Sequence, residues 1–201
     1  ANKPELAKER EKLGEASESI NTLEELHLNL RKRLDQLVNI DNHCKIASLA
    51  KIWLKKELSN EIKKRIDKSM SRSQIREFNL TEQQKIASPS DVGIHNTIKR
   101  KDGVLFFIDF EYSGKDDLAK FACDWIIQPE KPFSESQEST MIDKLVYKMN
   151  HINKGWVNRY EIIKPLLEMK WCLIMLNKLK DGSITEAQVL KTIKYYEERT
   201  S

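Results

Sequence analysis

The sequence contains no long apolar run. No stretch of its 201 residues approaches the roughly 18 to 20 consecutive apolar residues that a membrane-spanning helix needs. The N-terminus is a charged stretch and has no apolar segment of the kind found in signal peptides. We therefore expect a cytoplasmic protein with no membrane partner.

Cysteine is scarce, and neither sign of charge dominates. The three cysteines, Cys44, Cys123 and Cys172, are odd in number and far apart, which excludes a disulfide scaffold and a zinc site of paired cysteines. The 35 basic and 31 acidic residues leave a net charge of +4, and both signs are mixed along the same stretches. We expect no nucleic-acid partner.

Residues typical of strands and tight turns concentrate in the middle of the chain. Apolar residues recur at helical intervals in the first third of the sequence and again after Pro132. Between these regions, β-rich runs at Thr97–Lys99 and Val104–Ile108 flank the pair Asp102-Gly103, which favours a hairpin turn. The pattern predicts an α+β fold that is mostly helical and contains one small β-hairpin.

Two polar clusters flank the predicted hairpin. Asp91 and Asn96 precede it, and Asp109 follows its second strand. Because a hairpin brings its two ends together, these three side chains can converge on one pocket. Phosphoryl transfer needs a carboxylate that orients the attacking hydroxyl and hard oxygen ligands that hold magnesium. The segment predicts a magnesium and phosphate site, with ordinary turn residues as the alternative interpretation.

The order Asp-x-x-x-x-Asn, apolar strand, Asp resembles the aminoglycoside phosphotransferase and choline kinase-like family. The usual family pattern is His-Gly-Asp-x-x-x-x-Asn, an apolar run and then Ile-Asp-Trp/Phe-Glu. Ile108–Gly114 is similar to the second half of this pattern, and Asp116–Asp124 is similar to the family region that follows it. The resemblance implies a protein-kinase-like C-terminal lobe, with the hairpin between the catalytic Asp and Asn and the metal-binding Asp.

The resemblance also implies roles for individual residues. Asp91 would be the catalytic carboxylate, as a base or an orienting group. Asn96 and Asp109 would be the Mg²⁺ ligands for bound ATP or GTP, and Asp124 would brace the catalytic loop. Glu111, two residues after Asp109, would be either a further member of the site or a solvent-facing side chain.

One position departs from the family pattern. Pro89 stands where the family has His, two residues before the catalytic Asp. That His usually supports the loop and does not perform chemistry. We expect His95 to supply a substitute hydrogen bond.

The β-rich nucleotide-binding lobe of the family has no counterpart before Asp91. Residues 1–85 contain one glycine, Gly14, and no strand with a phosphate-binding Lys. We therefore expect the N-terminal lobe to be missing from this chain and to belong to the same protein in cis. The isolated chain should then fold without appreciable kinase activity.

The predicted organisation has two parts, a helical or linker segment over 1–20 and the kinase-like lobe over 21–201. Within the lobe we expect helices over 21–84, catalytic and metal-binding loops over 85–124, and helices over 133–201 on the substrate side. Trp156 and Tyr160 fall in this last region and are weak candidates for substrate contact.

The predicted function is ATP-dependent phosphoryl transfer to a hydroxyl of a small molecule, such as an aminoglycoside, a choline-like alcohol or a sugar. The alternative is a kinase-like helical module that binds or regulates without turnover. A seam of leucines in the first predicted helix could pair with a partner helix, although packing into the core of the domain is the preferred interpretation. The seam comprises Leu23, Leu26, Leu30, Leu34 and Leu37.

Overall fold

The computed structural model describes residues 12–41, 44–70, 78–149 and 153–201, and for Ile94 the backbone alone. In chain order the helices are α1 (Leu23–Val38), α2 (Lys45–Trp53), α3 (Ser59–Met70), α4 (Leu118–Ile126), α5 (Glu135–Met149), α6 (Trp156–Met175) and α7 (Glu186–Thr200), and the strands are β1 (Ile86–Ser88), β2 (Thr97–Lys99), β3 (Leu105–Phe107) and β4 (Gly114–Asp116). Among the described helices none is both long and apolar enough to cross a bilayer.

The chain divides into two compact units, each built from two stretches of sequence. The first comprises the described residues of Ala1–Thr22 and Phe78–Ile163, and the second those of Leu23–Glu77 and Lys164–Ser201. The predicted segment over 1–20 lies partly outside the described residues, and its described part, Lys12–Ile20, has no helix. The predicted boundary near residue 21 stays a prediction.

The second unit is helical. In α1 the apolar side chains recur every three to four residues, and Leu23, Leu26, Leu30 and Leu37 are buried, as an amphipathic helix requires. Helices α2 and α3 are joined by a π-helical turn, Leu54–Leu58, whose two leucines are buried. Leu54 and Leu58 are four residues apart and therefore lie on the same face of the helical path.

Arg65 on α3 connects the helices of this unit. Its Nε donates to Glu61 at 2.8 Å and its Nη1 donates to Glu168 on α6 at 2.9 Å. The same guanidinium donates to the carbonyl of Pro165 at 2.6 Å and to that of Arg199 near the end of α7 at 2.7 Å. A planar guanidinium with five N–H groups can satisfy all four acceptors at once, so one side chain holds three helices.

The first unit contains the predicted hairpin. Strands β2 and β3 pair antiparallel, with Thr97 opposite Phe107 and Lys99 opposite Leu105. At the turn Gly103 has a φ of +87°, a conformation that glycine adopts readily, and the Asp102 carboxylate accepts from the Val104 amide at 3.2 Å. The small hairpin in a mostly helical chain is thus confirmed.

The strands before and after the hairpin form a second two-stranded sheet, which the sequence did not predict. Strand β1 pairs antiparallel with β4, so that Ser88 lies opposite Gly114. A segment near the N-terminus adds a parallel bridge from Glu15 to Lys115. Strands of three residues have no readable alternation of apolar and polar residues, and their partners are distant in sequence, which explains why they were missed.

Helix α4 follows β4 directly and was also missed. Asp117 caps it by accepting from the Ala119 amide at 3.1 Å. Most residues of this helix are buried, including Lys120, and nine residues are too few for a clear periodic pattern in the sequence. The Asp117 carboxylate also accepts from the buried Arg159 guanidinium at 2.8 Å, which compensates for the burial of both charges.

Candidate active site

A hydrogen bond joins Asn96 to Asp91, the other defined residue of the Asp-x-x-x-x-Asn motif. The side-chain Nδ2 of Asn96 donates to the backbone carbonyl of Asp91 at 3.0 Å, and Asn96 is only 8% exposed. Because the nitrogen end of the amide is used in this bond, the oxygen end points away from the Asp91 backbone. That oxygen is a hard ligand of the kind that magnesium takes.

The backbone of Asn96 reaches the other side of the hairpin. Its carbonyl accepts from the Ile108 amide at 3.0 Å, and Asp109 is the next residue. The Asp91 loop and the Asp109 segment therefore meet at the open end of the hairpin, through one asparagine. This is the juxtaposition of segments expected when a hairpin brings its ends together.

The hydroxyl of Tyr112 is influenced by both segments. Its pKa is raised, first by a hydrogen bond with Glu111 and the charge of that carboxylate, then by burial, and further by the charges of Asp109 and Asp91. The two carboxylates thus lie within electrostatic reach of one hydroxyl. Glu111 and Asp109 are both exposed, so Glu111 engages its neighbour Tyr112 and not the core.

Unusual backbone conformations occur on both sides of the site. Ser90 has a φ of 65° and Asp109 a φ of 62°, two of the three non-glycine residues with positive φ in the described part of the chain. Such conformations cost on the order of 1 kcal/mol or more each and concentrate at functional sites. At Ser90 the backbone is held by a hydrogen bond from its amide to Ser88 Oγ at 3.0 Å.

Ser17 binds both segments of the site. The Ser90 hydroxyl donates to the Ser17 carbonyl at 2.9 Å, and the Ser17 amide donates to the Tyr112 carbonyl at 3.0 Å. We call Gly14–Ser17 the strap, because it also pairs with β4 through the Glu15 bridge. The strap was not predicted, since nothing in its local sequence indicates a partner about a hundred residues away.

The His95 ring lies between Asp91 and Gln128. Its Nε2 lies 3.3 Å from Asp91 Oδ1, and its Nδ1 lies 3.2 Å from Nε2 of Gln128. The sequence did not point to Gln128, because a single glutamine just beyond a helix carries no recognisable pattern. The role of His95 as the substitute for the family His at Pro89 stays a prediction.

Three other candidates, Asp124, Trp156 and Tyr160, make contacts within the first unit. Asp124 accepts from Lys120 of its own helix at 2.7 Å, and its bracing of the Asp91 loop stays a prediction. Trp156 is fully buried and Tyr160 is 5% exposed, with the Tyr160 hydroxyl donating to Glu138 at 2.7 Å. Both aromatic rings lie in the core of the first unit, and their contact with a substrate stays a prediction.

In the part of the chain that the structure describes, no group of three or more His, Cys, Asp or Glu side chains is arranged to hold a metal ion. The predicted magnesium set consists of the Asn96 amide and the Asp109 carboxylate. Magnesium commonly takes one or two protein ligands and completes its shell with water and nucleotide phosphates. Asn96 and Asp109 are residue types that fit this mode of binding.

The described part of the chain has a mostly helical fold with a small hairpin. Comparison with solved structures shows a distant likeness to spectinomycin phosphotransferase APH(9)-Ia, whose crystal structure contains ADP and spectinomycin, at 14% sequence identity and a TM-score of 0.54. The match covers 97% of this chain and 56% of the phosphotransferase, so this chain spans little more than half of that protein. No family model matches the sequence, and no curated protein matches it.

Proposed function

We propose that this chain is the catalytic lobe of a small-molecule kinase, which transfers the γ-phosphoryl group of ATP or GTP to a hydroxyl. The observation that supports this most is the pair of bonds made by Asn96, one to the Asp91 carbonyl and one from the Ile108 amide. These bonds join the two acidic segments in the order that phosphoryl transfer uses, a catalytic Asp, an Asn and a metal-binding Asp.

Each residue has a role that its environment permits. The Asp91 side chain is 40% exposed, so its carboxylate can accept a hydrogen bond from an incoming hydroxyl and orient the oxygen for attack. The Asn96 oxygen and the Asp109 carboxylate would hold magnesium. An ion held by these two residues would supply positive charge that offsets the negative charge on the nucleotide phosphates. The acceptor would be a small polar molecule such as an aminoglycoside, a choline-like alcohol or a sugar.

Exposed apolar side chains next to the site support the proposal that a nucleotide-binding lobe is missing from this chain. Ile98 on β2 and Phe106 on β3 lie opposite each other and are 55% and 47% exposed. The residues leading to Asp109 are also apolar and exposed, Leu105, Phe107 and Ile108 among them. Side chains alternate between the two faces of a strand, so Ile98 and Phe106 share one face of the hairpin, and an exposed apolar patch can mark a place where another body binds. We propose that the adenine ring and a β-rich lobe supplied in cis cover it.

A screen of the full-length gene product would test the proposal. The protein is incubated with magnesium and ATP or GTP and with aminoglycosides, choline-like alcohols and sugars in turn, and phosphorylated product is detected by ³¹P NMR. A phosphate ester formed only in the presence of one acceptor class supports the proposal. Absence of any acceptor-dependent product would refute it for these classes of acceptor.

The second candidate is a kinase-like module that binds without turnover, and the observation favouring it is Pro89 at the position of the supporting His. The two hypotheses differ in whether the bound nucleotide is consumed in a reaction. Acceptor-independent binding of ATP by the full-length protein, with no phosphorylated product, would favour the module. The isolated 201-residue chain is expected to be inactive under either hypothesis, because the sequence before Asp91 has no glycine-rich loop and no strand Lys to bind the nucleotide phosphates.

A further inference from the structure

Gln128 is a buried side chain beside the site that the proposed mechanism leaves unassigned. It lies just beyond α4, is 6% exposed, and places its carboxamide nitrogen 3.2 Å from Nδ1 of His95. On the basis of the proposed function, we propose that Gln128 is a positioning residue for Asp91 and that it acts through His95.

Two backbone amides fix the orientation of the Gln128 carboxamide. Its Oε1 accepts from the N–H of Glu130 at 2.6 Å and from that of Lys131 at 3.1 Å. A carboxamide rotated by 180° would turn its own NH₂ group toward these two donors and lose both hydrogen bonds. The nitrogen therefore faces His95 and donates to Nδ1.

This hydrogen bond determines the tautomer of the His95 ring. A nitrogen that accepts a hydrogen bond carries no proton, so the neutral imidazole has its proton on Nε2. Nε2 lies 3.3 Å from Oδ1 of Asp91, and the ring donates to that oxygen. Among the described groups Asp91 Oδ2 has no hydrogen-bond partner, so it is the oxygen that can receive the acceptor hydroxyl.

Gly93 leaves the space that the His95 ring occupies. A Cβ atom at position 93 would lie 2.5 Å from Cε1 of the ring and 2.6 Å from Nδ1, which no real contact allows. The ring is 39% exposed and can swing away, so a methyl group at Gly93 would displace the imidazole without a large cost to the fold. The Gly93 backbone and the Gln128 carboxamide thus hold the ring against Asp91 from two sides.

The first arm of the test is NMR of the chain with ¹⁵N-labelled histidine, with the His95 signals assigned from a His95→Gln variant. We expect the wild-type ring to show the nitrogen pattern of the Nε2–H tautomer. Gln128→Glu keeps an oxygen for the Glu130 and Lys131 amides and replaces the donor to Nδ1 with an acceptor. The proton of the neutral ring should then move to Nδ1, where it can donate to the new carboxylate.

Two further variants sharpen this arm. Gly93→Ala should leave the chain folded and displace the His95 ring, so that its nitrogen signals lose the pattern of the single Nε2–H tautomer. Gln36→Glu is the matched control, because Gln36 accepts from Lys180 through its oxygen, a bond that a carboxylate keeps, and it should leave the His95 pattern unchanged. The proposal would be overturned if the wild-type His95 ring were in the Nδ1–H tautomer, or if the nitrogen pattern of the ring were the same in Gln128→Glu as in the wild type.

The second arm measures turnover of the full-length protein with its acceptor. Gln128→Glu should lower kcat by roughly 10- to 100-fold and leave KM for ATP unchanged, because the nucleotide contacts stay and only the placement of Asp91 changes. An unchanged kcat would overturn the positioning role. Absence of phosphotransfer in the wild type would instead overturn the proposed function, and the His95 tautomer would still decide whether the hydrogen-bonded chain exists.

Discussion

Gly114 lies so close to Ala16 that a side chain could not fit between them. A Cβ atom at Gly114 would be 2.4 Å from the Ala16 nitrogen and 2.5 Å from the Glu15 carbonyl carbon, and both are backbone atoms. The strap must therefore move if position 114 gains a methyl group. The strap also binds Ser90 and Tyr112, so this close approach connects the N-terminal segment to both halves of the candidate site.

Gly114→Ala should destabilise the first unit by about 1 to 3 kcal/mol, since a backbone cannot yield as a flexible side chain does. Urea unfolding would measure the loss, and hydrogen exchange at the Ala16 and Lys115 amides should accelerate. Gly14→Ala is the matched control, because a Cβ there meets nothing within 4 Å. Equal stability of the two variants would show that the strap does not pack as described.

Arg65→Met should be the more damaging of two substitutions on α3. It leaves the Glu168 carboxylate, 9% exposed, without its cation, and the loss of one partner of a buried pair costs about 3 to 5 kcal/mol. Lys64→Met is the control, because Lys64 pairs with Glu61 but is 74% exposed, and surface pairs contribute at most about 1 kcal/mol. Thermal unfolding of both variants would check the difference, and similar midpoints would contradict the role given to Arg65.

Glu82 should contribute to acid sensitivity. Hydrogen bonds from Lys115 and then Lys85 lower the pKa of Glu82 from its ordinary value of 4.5 to about 2. A carboxyl whose pKa is lower in the folded state stabilises the fold above its unfolded pKa, and that contribution is lost as the pH falls from about 4.5 toward 2. Glu82→Gln should therefore show a shallower loss of stability across this window than the wild type.

Salt provides a second check on Glu82. The Glu82 carboxylate is exposed, so about 1 M NaCl should reduce the difference in acid-induced loss of stability between Glu82→Gln and the wild type. The exposed Glu161 supplies a control variant, Glu161→Gln, that lies away from Lys85 and Lys115 in the sequence. Superimposable acid-unfolding curves for the wild type and Glu82→Gln would contradict the pairing with the two lysines.

The exposed pair on the hairpin should matter for activity more than for stability. Ile98→Thr combined with Phe106→Thr places a β-branched residue, which strands favour, at both exposed positions, so the unfolding free energy should change by no more than about 1 kcal/mol. In the full-length protein KM for ATP should rise, because the proposed contact with the adenine ring and the nucleotide-binding lobe is lost. Leu190→Gln on α7, where Leu190 is 58% exposed, is the control, and an unchanged KM in the double variant would refute the proposed contact.

The sequence predicted those parts of the molecule that have local signals. The helices have apolar residues at regular spacing, and the hairpin has Asp102-Gly103 at its turn. The Asp91, Asn96 and Asp109 spacing follows from that hairpin, which is why these residues could be proposed as a group. The β1–β4 sheet and the strap depend on contacts between distant stretches, and α4 is too short for a clear periodic pattern in the sequence. Gln128 became visible only through its hydrogen bond to His95.

The central claim is that Asp91 and Asp109 act in phosphoryl transfer, and turnover of their Asn variants in the acceptor assay tests it most directly. Asn keeps the shape of Asp and tolerates the positive φ at position 109, so Asp91→Asn and Asp109→Asn should stay folded. Asp102→Asn at the hairpin turn is the control and should retain wild-type turnover. We predict a loss of roughly 10²- to 10⁴-fold in kcat for both site variants. Wild-type rates in either of them, with circular dichroism showing an intact fold, would contradict the assignment.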